Sequence, residues 1–336
     1  MTVGSLFIDT GDSKMKQLSD YLFHEEPAGQ IYNGDVFDVL PLMESESVDC
    51  VVTSPPYWGL RDYGVEGQIG LEKTPEEYVE KIVQIFREVR RILKKDGALW
   101  LNLGDSYVSA KSRKSSIEQT ISGKYRGETI NGNRPDQKGH PYLKDKDLCM
   151  IPARVALALQ VDGWWLRQDI IWHKPNPMPE SVTDRCTKSH EYIFLLTKSA
   201  KYYFDYKAIK EKSIDPESIN GRRKRNKSQG YLTGGKNLMQ NFHKLEGKIY
   251  KNRNKRSVWT IPIASYKDAH FATFPPDLII PCIKTTRPGA VICDIFFGSG
   301  TVGEVAKKFS RHFIGIELNP DYCKMSLKRL QQEILL

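Results

Sequence analysis

The sequence predicts an α/β protein, a doubly wound and mostly parallel sheet that carries an inserted basic region. Three observations predict it. The apolar run Val48-Asp49-Cys50-Val51-Val52 stops at Thr53-Ser54-Pro55-Pro56, the pattern of a buried strand ending at a rigid bend. Ala290–Ile295 reads as a strand, Phe296-Phe297-Gly298-Ser299-Gly300-Thr301-Val302-Gly303 as a tight glycine turn, and Glu304–Ser310 as a helix, followed by a strand, His312–Ile316, that closes on Glu317. Between these two units strand and helix patterns alternate, which argues for parallel strands with a ligand at their C-terminal ends. A chain of 336 residues with 40% hydrophobic content can bury one large domain with insertions.

The elements follow in order. Thr74-Pro75-Glu76-Glu77 is a helix start, with Thr as cap, Pro at the first position and Glu77 completing a capping box. Tyr78, Ile82, Ile85, Phe86, Val89, Ile92 and Leu93 recur at helical spacing and extend that helix to about Lys95. Ala98–Leu103 and Tyr192–Leu196 read as buried strands, and Pro152–Val161 as a helix. Lys111–Lys146 is rich in Gly, Ser, Asn and Lys without periodicity and reads as a long loop or flap.

Composition excludes several classes. No segment approaches the roughly 20 apolar residues of a membrane helix, and the first residues lack a charged start followed by an apolar core, which argues for a cytoplasmic protein. The six cysteines, at 50, 149, 186, 282, 293 and 323, form no C-x-x-C pair, so no metal site or disulfide framework is expected. Pro281-Cys282 imitates the Pro-Cys of carbon-5 cytosine methylators, but it lies in an apolar helical stretch and reads as a core thiol.

Charge is concentrated. Lys207–Arg256 holds fifteen Lys or Arg against four Asp or Glu, a net of +11, while the whole chain is +9. Arg222, Arg223, Lys224, Arg225 and Lys227, with Arg253, Lys255 and Arg256, are the candidate phosphate contacts, because Lys and Arg neutralise phosphates and release counterions. A solvated linker is the alternative.

Two stretches carry chemistry. Ser54-Pro55-Pro56-Tyr57-Trp58 offers a hydroxyl, carbonyls aimed by proline and flat rings, which suits a planar base gripped by its amino group and its face; a plain Pro-rich turn is the alternative. Gly298, Gly300 and Gly303 satisfy G-x-G-x-x-G, which permits close approach of a cofactor and would equally permit a nicotinamide dehydrogenase.

Together these stretches resemble the amino-methyltransferases of DNA. Ser54-Pro55-Pro56-Tyr57 is similar to their catalytic S/D/N-P-P-Y/F motif, and Asp294-Ile295-Phe296-Phe297-Gly298-Ser299-Gly300-Thr301 to their F-x-G-x-G motif. The catalytic motif comes first and the cofactor motif last, with a basic insert between, which resembles the β group. Tyr32-Asn33-Gly34-Asp35, Gly97–Asp105, Asp169–Asn176 and His270–Pro275 resemble further segments of these enzymes in the right order.

The resemblance implies a Rossmann-like methyltransferase sheet whose final strands form its antiparallel edge. It divides the chain into a catalytic half (28–110), a mobile loop (111–147), core strands and helices (148–206), a target-recognition insert (207–260) and a cofactor half (261–336). It implies S-adenosylmethionine as cofactor, held by Asp35, Phe274, Asp294, Phe296, Phe297, Gly298, Gly300, Thr301 and Glu317, with a phenylalanine ring at the sulfonium and Glu317 on the ribose. Catalysis would fall to Ser54, Pro55, Pro56 and Tyr57, with Tyr57 stacked on a flipped base. The implied partner is double-stranded DNA, with a cognate restriction endonuclease acting separately, by a monomer or a homodimer. Ser at the first motif position resembles the N4-cytosine methylators more than the N6-adenine enzymes. A non-catalytic sequence-specific DNA binder is the remaining alternative.

Overall fold

The computed structural model describes residues 16–60, 63–108, 140–213, 251–263 and 275–332. In chain order the elements are β1 (Leu22–Glu26), β2 (Gly29–Asn33), α1 (Val36–Val39), β3 (Val48–Thr53), α2 (Pro75–Ile92), β4 (Leu93–Leu103), α3 (Ile151–Val161), β5 (Trp165–His173), β6 (His190–Thr197), β7 (Glu211–Lys212), β8 (Asn252–Arg253), β9 (Val258–Thr260), α4 (Pro276–Lys284), β10 (Val291–Asp294), α5 (Thr301–Lys308), β11 (His312–Glu317) and α6 (Pro320–Gln332).

Nine strands form one sheet in the order β1-β2-β11-β10-β3-β4-β6-β5-β9. Five of its eight pairings are parallel. From β3 the chain crosses through α2 to β4 on one side; from β10 it crosses through α5 to β11 on the other. The winding reverses between β3 and β10, and in open α/β sheets a ligand crevice forms at the strand C-termini where this happens. Both strands are buried on both faces, and alternate residues serve different layers. Val51, Leu99 and Leu101 pack with α2 and α3, whereas Cys50, Val52 and Trp100 pack with α4 and α5.

The antiparallel part of the sheet differs from the expectation. The last strands in the chain, β10 and β11, pair in parallel at its centre. The antiparallel strands are β6, set against both β4 and β5, and β1 at the opposite edge. A helical crossover such as α5 delivers the next strand in the same direction, so β11 cannot be an antiparallel neighbour of β10. Within the expected insert, 207–260, β9 extends the main sheet beside β5 and Trp259 is 4% exposed.

Helix α2 starts as expected, with Thr74 Oγ1 accepting from Glu77 N at 3.2 Å. Glu77 reaches back one residue further than a capping box, to Lys73 N at 3.0 Å. The helix stops at Ile92 rather than near Lys95, because Leu93 turns extended and pairs with Val48. Cys282 is 2% exposed inside α4, burial pushes its thiol far up, and it is the core residue expected.

Candidate active site

The two candidate stretches end adjacent parallel strands, β3 and β10. One hydrogen bond ties them. Thr53 Oγ1 donates to Asp294 Oδ1 at 2.7 Å, and the same oxygen accepts from Phe296 N at 3.1 Å. Asp294 is 1% exposed, and this burial raises its pKa from the ordinary 3.8 to about 7. Asp294 therefore orients both loops from below the site.

The glycine turn is built around one ring. Phe297 is 2% exposed and stacks on Phe313 at 5.8 Å between centroids. A Cβ at Gly315 would stand 2.4 Å from that ring, and one at Gly303 2.8 Å from it. Phe297 is thus a core plug, and Gly303 and Gly315 leave room for it. The half-buried Phe296 is left as the ring at this strand end. Thr301 is buried as well, and its hydroxyl accepts from Arg329 at 2.9 Å. Gly300, with φ 80°, caps α5, and a Cβ there would meet Ser326 at 2.8 Å.

Gly298 is different. Its φ is 51°, and a Cβ there would find its nearest neighbour, the Phe296 carbonyl oxygen, only at 3.9 Å. Its face is open, and its N–H donates to Glu317 Oε2 at 2.7 Å. Glu317 Oε1 accepts from Asn319 N at 2.8 Å. Burial raises the Glu317 pKa, opposed by these backbone donors. A carboxylate has about four acceptor positions, so Glu317 keeps capacity for a ligand hydroxyl. Asp35, two residues past β2, caps α1 by accepting from Phe37 N at 2.9 Å, and burial raises its pKa too. Asn33, part of the Tyr32–Asp35 segment though not among the expected site residues, fastens the two strand ends through bonds from Nδ2 to the Glu317 and Leu318 carbonyls. Phe274 lies outside the described residues.

The catalytic bend is built from side chains. Tyr78 Oη donates to the Pro56 carbonyl at 2.9 Å, whereas no described residue donates to the Pro55 carbonyl. Trp58 is a core residue at 1% exposure, its indole donating to the Glu72 carbonyl, so it offers no face to a ligand. Tyr57 is half-buried, and a Cβ at Gly104 would stand 2.4 Å from its ring edge. Its hydroxyl lies 2.8 Å from Glu191 Oε2, 3.1 Å from Asn102 Oδ1 and 3.3 Å from Ser54 Oγ. Burial, and then the Glu191 carboxylate, hold the phenol well above the ordinary tyrosine range. Sequence reasoning missed Thr53, Asn102, Gly104, Lys174 and Glu191; Gly104, beside Asp105 at a strand end, was the one visible signal.

The candidate DNA contacts divide. Residues 222–227 lie outside the described residues. Arg253 and Arg256 each donate to Glu211 Oε1 at 2.8 Å, and Lys255 stands 4.8 Å over the Trp259 ring. Burial works against the Glu211 charge, but the two arginines outweigh it and lower its pKa. Among the described residues no cluster of metal-ligating side chains occurs and no helix is long and apolar enough to cross a membrane.

Comparison with known proteins agrees with this geometry. The DNA methylase pattern for N6 and N4 methylation matches residues 48–328. The chain is 43% identical over 304 residues to the Type II methyltransferase M.Cfr9I of Citrobacter freundii, covering 90% of this chain and 88% of that protein. It is 44% identical over 302 residues to M.SmaI of Serratia marcescens, covering 90% of each. Among solved structures, PvuII DNA methyltransferase (cytosine-N4-specific) shares the fold at a TM-score of 0.58 and 20% identity, over 90% of this chain and 86% of that one. TTHA0409 of Thermus thermophilus, solved with S-adenosyl-L-methionine, does so at 0.55 and 22%, over 91% and 94%. The open face of Gly298 and the half-buried Glu317 and Asp35 fit that cofactor. The chain belongs to the N6/N4 DNA methylase family, enzymes that transfer a methyl group from S-adenosylmethionine to DNA.

Proposed function

We propose that this chain methylates the exocyclic N4 amine of cytosine at a specific site in duplex DNA, with the target base flipped onto the bend at Ser54–Tyr57. The carrying observation is that Ser54 and Pro55 follow the end of β3, where no described residue donates to the Pro55 carbonyl, beside the glycine turn that ends β10. The amine lone pair is delocalised into the base ring. Hydrogen bonds from its two protons to these two oxygens favour a pyramidal nitrogen with the lone pair available, so the protein's task is positioning and electrostatics. Bound S-adenosylmethionine supplies a methyl group on a positively charged sulfur. Gly298, Phe296, Glu317 and Asp35 are the residues that would hold it, with the Phe296 face favourable to that charge.

Ser as first motif residue supports cytosine N4 over adenine N6, and the name of the PvuII enzyme agrees. The names of the Type II relatives support site-specific action beside a separate endonuclease. The region from 207 to the start of β9 is the proposed DNA-reading part; Arg253 and Arg256 contribute to it in competition with Glu211. DNA from cells expressing the chain, sequenced for both modifications, tests the proposal. N4-methylcytosine within one short sequence is the expected result, and N6-methyladenine would overturn the choice of base.

A further inference from the structure

The chemistry proposed above needs the Ser54 oxygen to accept from the target amine, and a hydroxyl between two donors and acceptors has no direction of its own. The structure supplies one. Tyr57 Oη is within reach of three oxygens: Glu191 Oε2 at 2.8 Å, Asn102 Oδ1 at 3.1 Å and Ser54 Oγ at 3.3 Å. A phenol has one proton to give. A hydrogen bond to a carboxylate is roughly twice as strong as one between neutral groups, so the proton goes to Glu191. Tyr57 Oη is then an acceptor for the Ser54 proton, and the Ser54 lone pairs are left free to accept.

Two further side chains hold Glu191 in this role. Lys174 forms an ion pair with its other oxygen and stands 4.3 Å over the Trp172 ring. Both charged side chains are largely shielded, at 18% exposure for Lys174 and 16% for Glu191. Asn102 Nδ2 donates to the Tyr192 carbonyl at 3.0 Å and lies 3.3 Å from Glu191 Oε2, which fixes the amide with its oxygen toward Tyr57.

We propose that Glu191 is a positioning residue for methyl transfer: by drawing the Tyr57 proton it sets the Ser54 hydroxyl as an acceptor for the amine being methylated. This rests on the reading of Ser54–Tyr57 as the base site. Without the carboxylate the Tyr57 proton can turn to Ser54 Oγ and compete with the substrate for its lone pairs. The ring of Tyr57 is then not enough, and Tyr57→Phe is damaging even though the aromatic face survives.

Single-turnover methylation of duplex DNA by the full chain, alongside binding of S-adenosylmethionine and of DNA, tests this with Glu191→Gln, Tyr57→Phe and the pair combined. Each single variant is expected to lower the rate about 10-fold to 100-fold while both affinities stay within about twofold, and the pair is expected to be no slower than the worse single, because all three cut one chain of bonds. Tyr57→Phe removes one oxygen and keeps the packing, so it carries the test if Glu191→Gln does not fold. Ser54→Ala is run beside them. A slow Ser54→Ala with a full-rate Tyr57→Phe would overturn this inference alone. A full-rate Ser54→Ala would overturn the underlying site. Additive losses, or weaker DNA binding at an unchanged rate, would mean that Glu191 serves something other than the Ser54 hydroxyl.

Discussion

The ends of β10 and β3 lie side by side and are built in opposite ways. At the end of β10 the backbone forms the proposed site: Gly298 offers an open face, its N–H is taken by Glu317, and the Phe297 ring locks the turn from inside. At the end of β3 side chains form it: Tyr78 holds the Pro56 carbonyl, while Glu191 takes the Tyr57 proton and is itself approached by Asn102 Nδ2. A backbone site depends on absent side chains and positive φ. A side-chain site depends on partners delivered by other strands. Substitutions should therefore injure the two ends through different variables.

Gly298→Val is the largest expected effect. It forces a β-branched residue to φ 51° and fills the open face, so affinity for S-adenosylmethionine should fall about 100-fold or more by calorimetry. Retained affinity would break the comparison at the β10 end. Ser54→Ala should lower the single-turnover rate about 10-fold to 1,000-fold with cofactor affinity unchanged, the usual range for losing one positioned hydrogen bond.

Gly104→Ala sharpens the comparison, because it is a glycine serving the side-chain end. Its Cβ would stand 2.4 Å from the Tyr57 ring, and moving that ring should cost about 10-fold in rate with no change in cofactor affinity. If cofactor affinity falls instead, the two ends are not separable.

Asp294→Asn is the smallest effect on activity and the most specific in pH. The folded-state carboxyl titrates at about 7 against an ordinary 3.8, so between those values the folded state holds a proton that the unfolded state has lost. Folding stability attributable to this group is greatest below the ordinary value and falls as pH rises toward 7, by an amount on the order of a few kcal/mol. Urea denaturation at pH 5 and pH 7.5 should show this fall in the native chain and a smaller one in Asp294→Asn, whose amide oxygen can still accept from Thr53.

The same contrast explains what the sequence disclosed. The β10 end was legible because its information is local: a strand, glycines at fixed spacing and an acid ending the next strand. Which of two adjacent phenylalanines points inward was not local, since it depends on the space left at Gly303 and Gly315. At the β3 end the prolines announced the bend, but Asn102 lies 45 and Glu191 134 residues from Tyr57, and no spacing rule joins them. Trp58, read as a ligand face, went to the core because its indole finds the Glu72 carbonyl there. The order of strands was legible as α/β winding, while the place of the antiparallel strands depended on which crossover each connection makes.

The position of β10 also bears on how the chain reaches this state. It is a central strand, flanked by β3 and β11, yet it is made from residues 291–294, and its Asp294 meets Thr53 across 241 residues. Until β10 and β11 arrive, β3 and β2 have exposed edges facing a gap in the sheet, and β3 is apolar on both faces. Closing that gap is a long-range step, slow by its loop-closure entropy. A chain stopped short of β10 would carry the whole Ser54–Tyr57 bend on an unpaired, aggregation-prone edge, so methylating activity cannot precede synthesis of the C-terminal strands.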